Sequence, residues 1–91
     1  MSKKVIIDTR EPLEYAQSHV DGAINIPPVK FMNGEAFTEL KDIQKDTCII
    51  LYCRTGQRSN TCSQILSEQG YTNLINGINE GRVQKLLEES S

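Results

Sequence analysis

The sequence predicts a single α/β domain in three layers, with a central parallel sheet and helices on both faces, and three observations carry that expectation. Two runs of consecutive apolar residues, Val5-Ile6-Ile7 and Cys48-Ile49-Ile50-Leu51-Tyr52, lack the polar alternation of a half-exposed strand and read as strands covered on both faces. Segments with helical spacing alternate with the strand candidates, the rhythm that builds right-handed β-α-β crossovers. At 91 residues there is room for one core. Leu, Ile, Val and Phe make up about a quarter of the chain, enough apolar side chain for it to fold.

The first strand, Val5-Ile6-Ile7, ends at Asp8-Thr9-Arg10, and Pro12 suits the first turn of a helix that Leu13-Glu14-Tyr15-Ala16 continues to about Ser18. Asp21-Gly22 is a turn pair, and Ala23-Ile24-Asn25-Ile26 a second short strand. Pro27-Pro28 stops it, because neither proline can donate to a ladder. Asn33-Gly34 marks a turn, and the spacing of Phe37 and Leu40 predicts a helix from about Glu35 to Gln44. The run from Cys48 to Tyr52 is the strongest strand and the central one. In residues 58 to 69, Cys62, Ile65, Leu66 and Gln69 fall at i, i+3, i+4 and i+7, and Gly70 follows where a left-handed terminator is wanted. Asn73-Leu74-Ile75-Asn76 is the fourth strand, and Val83, Leu86 and Leu87 give the last segment a narrow helical stripe.

Several function classes are excluded by composition. Twelve acids against ten bases give a net charge of −2, with no global basic field for nucleic acid or an anionic membrane surface. The longest apolar run, Cys48 to Cys53, is far short of a membrane span. Two lysines precede three apolar residues and an acid at the N-terminus, which is no secretory segment. The chain as written is expected in the cytoplasm, or in the periplasm had a signal peptide been removed. Cysteines 48, 53 and 62 are odd in number and few, which favours a reducing compartment over a disulfide framework. They and His19 show no paired metal-ligand spacing, and no nucleotide fingerprint occurs, so no metal or cofactor is expected.

Chemistry concentrates after the central strand. A parallel sheet places all strand C-termini on one edge, where open α/β sheets bind ligands, so Asp8-Thr9-Arg10 and Cys53-Arg54-Thr55-Gly56-Gln57-Arg58 are expected to converge there. A cysteine at a strand end, followed by a glycine-containing loop and a helix, has its sulfur in a ring of backbone N–H groups. Those donors, the helix N-terminus and the charges of Arg54 and Arg58 all favour a thiolate, so Cys53 is expected to be nucleophilic at neutral pH. No Asp or Glu occurs from Thr47 through Ser67, and the two arginines are expected to bind a small anion. Tyrosine phosphatases space Cys and Arg by five residues around a tetrahedral phosphate. Here Arg58 gives Cys-x4-Arg, a tighter loop for a smaller object, and Tyr52 stands where the phosphatase signature has His.

With these blocks the chain resembles a single-domain rhodanese of the thiosulfate sulfurtransferase family, and among them the small phage-shock type. Ile7-Asp8-Thr9-Arg10-Glu11-Pro12 with Glu14-Tyr15 is similar to the family's first block, and Ser18 through Pro27 to its Gly-His-Ile-x-Gly-Ala block. Cys53-Arg54-Thr55-Gly56-Gln57-Arg58-Ser59 is similar to the active-site loop, and Ile65 through Tyr71 to the segment behind it. The resemblance implies a rhodanese-like fold and a Cys53 persulfide loaded from thiosulfate or a related anionic donor. It implies release to cyanide or a thiol acceptor, a thioredoxin-like protein among the candidates. By the same resemblance, loop amides from Arg54 to Ser59, with Thr55, Gly56 and Gln57 between, would stabilise the persulfide. Arg54, Arg58 and Arg10 would bind the donor anion. The chain departs at Thr55, where some thiosulfate-using relatives have lysine, and at Asn76-Gly77-Ile78-Asn79-Glu80-Gly81, which lacks the first glycine and the tryptophan of a Gly-Gly-Ile-x-x-Trp block.

Two rivals stand beside this reading: a persulfide carrier that loads once for a protein partner, and a small cysteine phosphatase or arsenate reductase. Cys48 and Cys62 are expected in the core. His19 invites a Cys-His protease reading, but in the resemblance its block braces the fold. Asp8 is expected to bond loop backbone, and Arg10 either pairs with Glu11 or Glu14 or faces the pocket.

Overall fold

The computed structural model describes residues 4–89. Four parallel strands, β1 (Lys4–Asp8), β2 (Ile24–Asn25), β3 (Cys48–Cys53) and β4 (Leu74–Asn79), form one sheet in the order β2-β1-β3-β4. The helices are α1 (Pro12–Gln17), α2 (Pro28–Met32), α3 (Glu35–Glu39), α4 (Gln57–Glu68) and α5 (Glu80–Glu89). The sheet is covered on both faces, as the unbroken apolar runs predict.

Alternation along the strands divides the core in two. Ile7, Ile49 and Leu51 face Phe31, Ala36, Leu40, Cys62 and Leu66 from α2, α3 and α4 and the segment joining α3 to β3. Ile6, Ile50 and Tyr52 face the other way, toward Val20, Ala23 and Val83, with Tyr15 and Leu87 packed at the margin. Every residue of β3 from Ile49 to Cys53 is buried, the signature of a central strand between two helical layers.

Three expectations need correction. Pro27-Pro28 does end β2, but Pro28 also opens the unpredicted helix α2, because its missing N–H is harmless in a first turn. The helix expected over residues 35–44 stops at Glu39. From Leu40 the chain runs through successive turns, with Ile43 N donating to Leu40 O and Thr47 N to Gln44 O. Lys45 O then accepts Thr72 N at 2.9 Å, which ties this stretch to the start of β4.

The third concerns β4, which continues past Asn76 to Asn79 through an irregularity opposite Leu51 and Tyr52. Leu51 pairs with Asn76 and Tyr52 with Ile78, so Gly77 is the extra residue of a bulge. Gly77 is buried, and a Cβ there would sit 2.4 Å from Val83 Cγ2 and 3.1 Å from Ile50 Cγ2. The glycine thus permits the close approach of β4, α5 and β3.

Candidate active site

Cys53 is the last residue of β3, and α4 begins only four residues later, at Gln57. The turn closes on Gly56, whose φ of 93° lies in the left-handed region that side-chain-bearing residues avoid. Gly56 N donates to Cys53 Sγ at 3.1 Å, and the backbone amides of Thr55 and Ser59 act on the same sulfur. Ser59 belongs to the first turn of α4, where N–H groups have no partner within the helix and remain free for an anion. Burial pushes the Cys53 thiol up. The Ser59 amide and hydroxyl, with the Thr55 and Gly56 amides, more than offset it and bring the pKa down to about 7.

Cys53 is 2% exposed, so little of it is open to a reactant. Thr55 and Gln57 have exposed side chains and serve the loop through its backbone path. Cys62, on α4 and fully buried, is pushed the other way, to about 12, by burial and then by the neighbouring Cys53. Cys48 sits half-buried at the start of β3, packed against the second core cluster.

The arginines are less free than the acid-free stretch of sequence suggests. Glu14, from α1, binds Arg58 with both oxygens, accepting from Nη1 at 2.9 Å and Nη2 at 3.3 Å, and lies 3.7 Å from Arg54 Nη1. The Arg58 hydrogen bond, followed by the Glu11 amide, holds the Glu14 carboxyl down at about 2. Folding therefore brings an acid onto a loop that has none in its own sequence, and Glu14 is a site residue the sequence reading missed.

Arg10 lies at the C-terminal edge of the sheet with the loop, but its guanidinium is committed elsewhere. Nε and Nη2 bind Asp8 at 2.7 to 3.1 Å, Nη2 also donates to Ser18 O, and Glu80 Oε1 stands 3.8 Å away. Among the described residues neither Glu11 nor Glu14 hydrogen-bonds it, although its charge reaches the Glu14 carboxyl. Asp8 in turn accepts the backbone N–H of Arg10 at 2.9 Å, the loop-backbone bond that was expected, and also the Tyr52 hydroxyl at 2.9 Å. Val20 N donates to the same hydroxyl. This buried network lies beneath the loop and joins β1, β3, the segment after α1 and the start of α5.

Thr9, just past β1, ties that strand's end to β3 at the residue before Cys53, with its N and Oγ1 both donating to Tyr52 O at 2.9 Å. His19 stacks on Tyr15 at 3.8 Å between ring centroids, with Nδ1 2.8 Å from Tyr15 O. These contacts brace the end of α1.

On the α4 side, Ser59 Oγ lies 2.7 Å from Asn76 Oδ1, 3.2 Å from Gly56 O and 3.6 Å from Cys53 Sγ. Asn76 Nδ2 donates to Gly56 O at 3.1 Å, and Ile78 N donates to Asn76 Oδ1 at 3.0 Å. Asn76 is a second neighbour missed from the sequence, because the bulge that aims it could not be read there. Among the described residues no group of three or more His, Cys, Asp or Glu side chains is placed to hold a metal ion, and no helix is long and apolar enough to cross a membrane.

Comparison with known proteins agrees with this fold. The family model for the rhodanese-like domain matches residues 1–83. The thiosulfate sulfurtransferase PspE of Escherichia coli is 43% identical over 70 residues, covering 77% of this chain and 64% of that protein. A putative mitochondrial thiosulfate sulfurtransferase of Schizosaccharomyces pombe is 35% identical over 80 residues, covering 79% of this chain and 56% of that protein. The matched stretch thus spans less than two thirds of either curated relative. A solved structure described as a rhodanese with anions, from E. coli, superposes with a TM-score of 0.75 at 36% identity, covering 88% of this chain and 91% of that one.

Proposed function

Because the chain belongs to the rhodanese-like domain family, we propose that it is a thiosulfate sulfurtransferase working through a persulfide on Cys53. The observation that carries this reading is the thiol itself, at the end of a buried strand under three converging amides, with a pKa of about 7. The thiolate attacks the outer sulfur of thiosulfate. A new S–S bond forms at Sγ, the old one breaks, and its electron pair leaves on sulfite. The terminal sulfur of the persulfide carries the negative charge and takes the place among the loop amides that suits an anion. Cyanide or a thiolate acceptor then attacks that sulfur and returns the electron pair to Sγ. One nucleophile divides the transfer into two easier displacements.

Loop size supports sulfur over phosphate. The four-residue spacing of Cys53 and Arg58, with α4 starting at Gln57, draws the amides of Thr55, Gly56 and Ser59 onto one sulfur atom. Arg58 and Arg54 flank the approach and draw in the donor's sulfonate, with Glu14 tempering their charge. Intact-protein mass spectrometry after incubation with thiosulfate tests the assignment. Wild type is expected to gain the mass of one sulfur atom and lose it on addition of cyanide, and Cys53→Ser to gain nothing. Repeated release of sulfite in the presence of cyanide marks an enzyme, and a single loading without turnover marks a carrier. A mass gain in Cys53→Ser would overturn the choice of nucleophile.

A further inference from the structure

We propose that Asn76 is a positioning residue that competes with the Cys53 sulfur for the single hydroxyl proton of Ser59, and so sets how readily the thiolate forms. A serine hydroxyl has one hydrogen to give. Three acceptors surround this one, and Asn76 Oδ1 at 2.7 Å is nearer than Gly56 O at 3.2 Å or Cys53 Sγ at 3.6 Å. The amide cannot be turned over without conflict. Ile78 N donates to Oδ1 and Gly56 O accepts from Nδ2, so a flipped side chain would set N–H against N–H and oxygen against oxygen.

The arrangement favours different protonation states of sulfur at its two ends. While Ser59 gives its proton to Asn76, it turns a lone pair toward Sγ, which suits a thiol that donates. A thiolate needs the opposite orientation, with the hydroxyl proton on sulfur. Asn76 Oδ1 then still holds the Ile78 N–H and is not left without a partner. Recruiting the Ser59 hydroxyl to the thiolate, beside the loop amides, therefore requires breaking the shortest hydrogen bond that Ser59 makes.

The backbone is shaped to put the amide there. Ile78 has φ of 73°, a conformation that costs a β-branched residue, and Gly77 before it is packed too closely against Val83 to carry a side chain. The bulge allows Asn76 to pair with Leu51 while its amide spans Gly56 and Ser59. Asn76 also stands where the family resemblance calls for glycine, which could make none of these contacts.

The inference rests on Cys53 as the nucleophile, but its test does not depend on the sulfur donor. The rate of iodoacetamide alkylation at Cys53, read by peptide mass as a function of pH, reports the thiolate directly. Asn76→Ala is expected to move the inflection down by about one pH unit, the scale of a hydrogen bond regained by a charged group. Ser59→Ala is expected to move it up, and adding Asn76→Ala to that variant is expected to change nothing further. Asn76→Asp restores the acceptor and is expected at or above the wild-type value. An Asn76→Ala inflection that stays in place or rises would make Asn76 a passive tether and overturn the proposal, as would an effect that persists without Ser59. Should circular dichroism show the alanine variant unfolded, Asn76→Leu, which fills the space without an acceptor, is held to the same criterion.

Discussion

Cys53 and Cys62 lie on the neighbouring elements β3 and α4, yet their thiols are driven in opposite directions. Burial raises both. Cys53 alone ends a strand beneath free amides, and it falls to about 7 while Cys62 rises to about 12. Position relative to converging N–H donors separates a lowered thiol pKa from a raised one here, and that position was legible in the sequence from the strand end and the glycine that follows. The Asp8 and Arg10 pair was not legible as a pair. Residues two apart at the end of a strand give no sign that both side chains turn onto Tyr52, 44 positions along from Asp8, whose hydroxyl Asp8 accepts and over whose ring the Arg10 guanidinium lies 5.5 Å from the centroid. Asp8 is fully buried, and Asp8→Asn leaves the Arg10 guanidinium with only Glu80, 3.8 Å away, as a counter-charge. Loss of one partner of a buried pair costs about 3–5 kcal/mol, and urea denaturation is expected to show a loss of that size. A loss below about 1 kcal/mol would mean that Glu80 suffices as the partner of Arg10.

Among the elements, α1 and α4 decide the electrostatics of the site together. The N-terminus of α4 supplies donors to sulfur, and α1 supplies the acid that occupies Arg58. The sequence showed both helices, but a window with no acid from Thr47 to Ser67 says nothing of an acid arriving from another element. Glu14→Gln keeps an acceptor for the Glu11 amide while removing the charge from Arg58 and Arg54. Steady-state kinetics with thiosulfate are expected to show KM lowered about fivefold with kcat little changed, since a unit charge a few ångströms away in a solvated site is worth about 1 kcal/mol. An unchanged KM would place the two arginines outside the donor's path. The short helices were harder to read than the long ones. α2 and α3 are five residues each, too brief for a periodicity to establish itself, and the prolines that start α2 carry the same letters as prolines that merely end a strand.

Taken as a whole, the molecule couples its stability to the state of its reactive sulfur. The folded pKa of Cys53, about 7, lies below its ordinary value of 9.0, so the folded chain releases this proton first. The resulting stabilisation is full above pH 9, shrinks as pH falls, and is gone below 7. Cys62 has the opposite sign, and its contribution declines as pH rises above 9. The urea midpoint of wild type relative to Cys53→Ser is therefore expected to rise between pH 7 and 9 under reducing conditions. A difference independent of pH would show that the loop does not prefer the anion. The two-layered covering of the sheet was legible from its unbroken apolar runs, whereas the bulge in β4 was not, because a glycine inside a strand and a glycine after one look alike until the neighbouring helix is seen. That bulge has a bearing on how copies of this chain meet in solution. A parallel sheet exposes two edges with unpaired backbone groups, each able to recruit a strand from another copy. On one side β2 is two residues long and runs into Pro27-Pro28; on the other, the ladder of β4 is interrupted midway along a strand that carries the exposed Ile75. The same kink that aims an amide at the reactive loop thus leaves the outer strand a poor template for sheet-to-sheet aggregation.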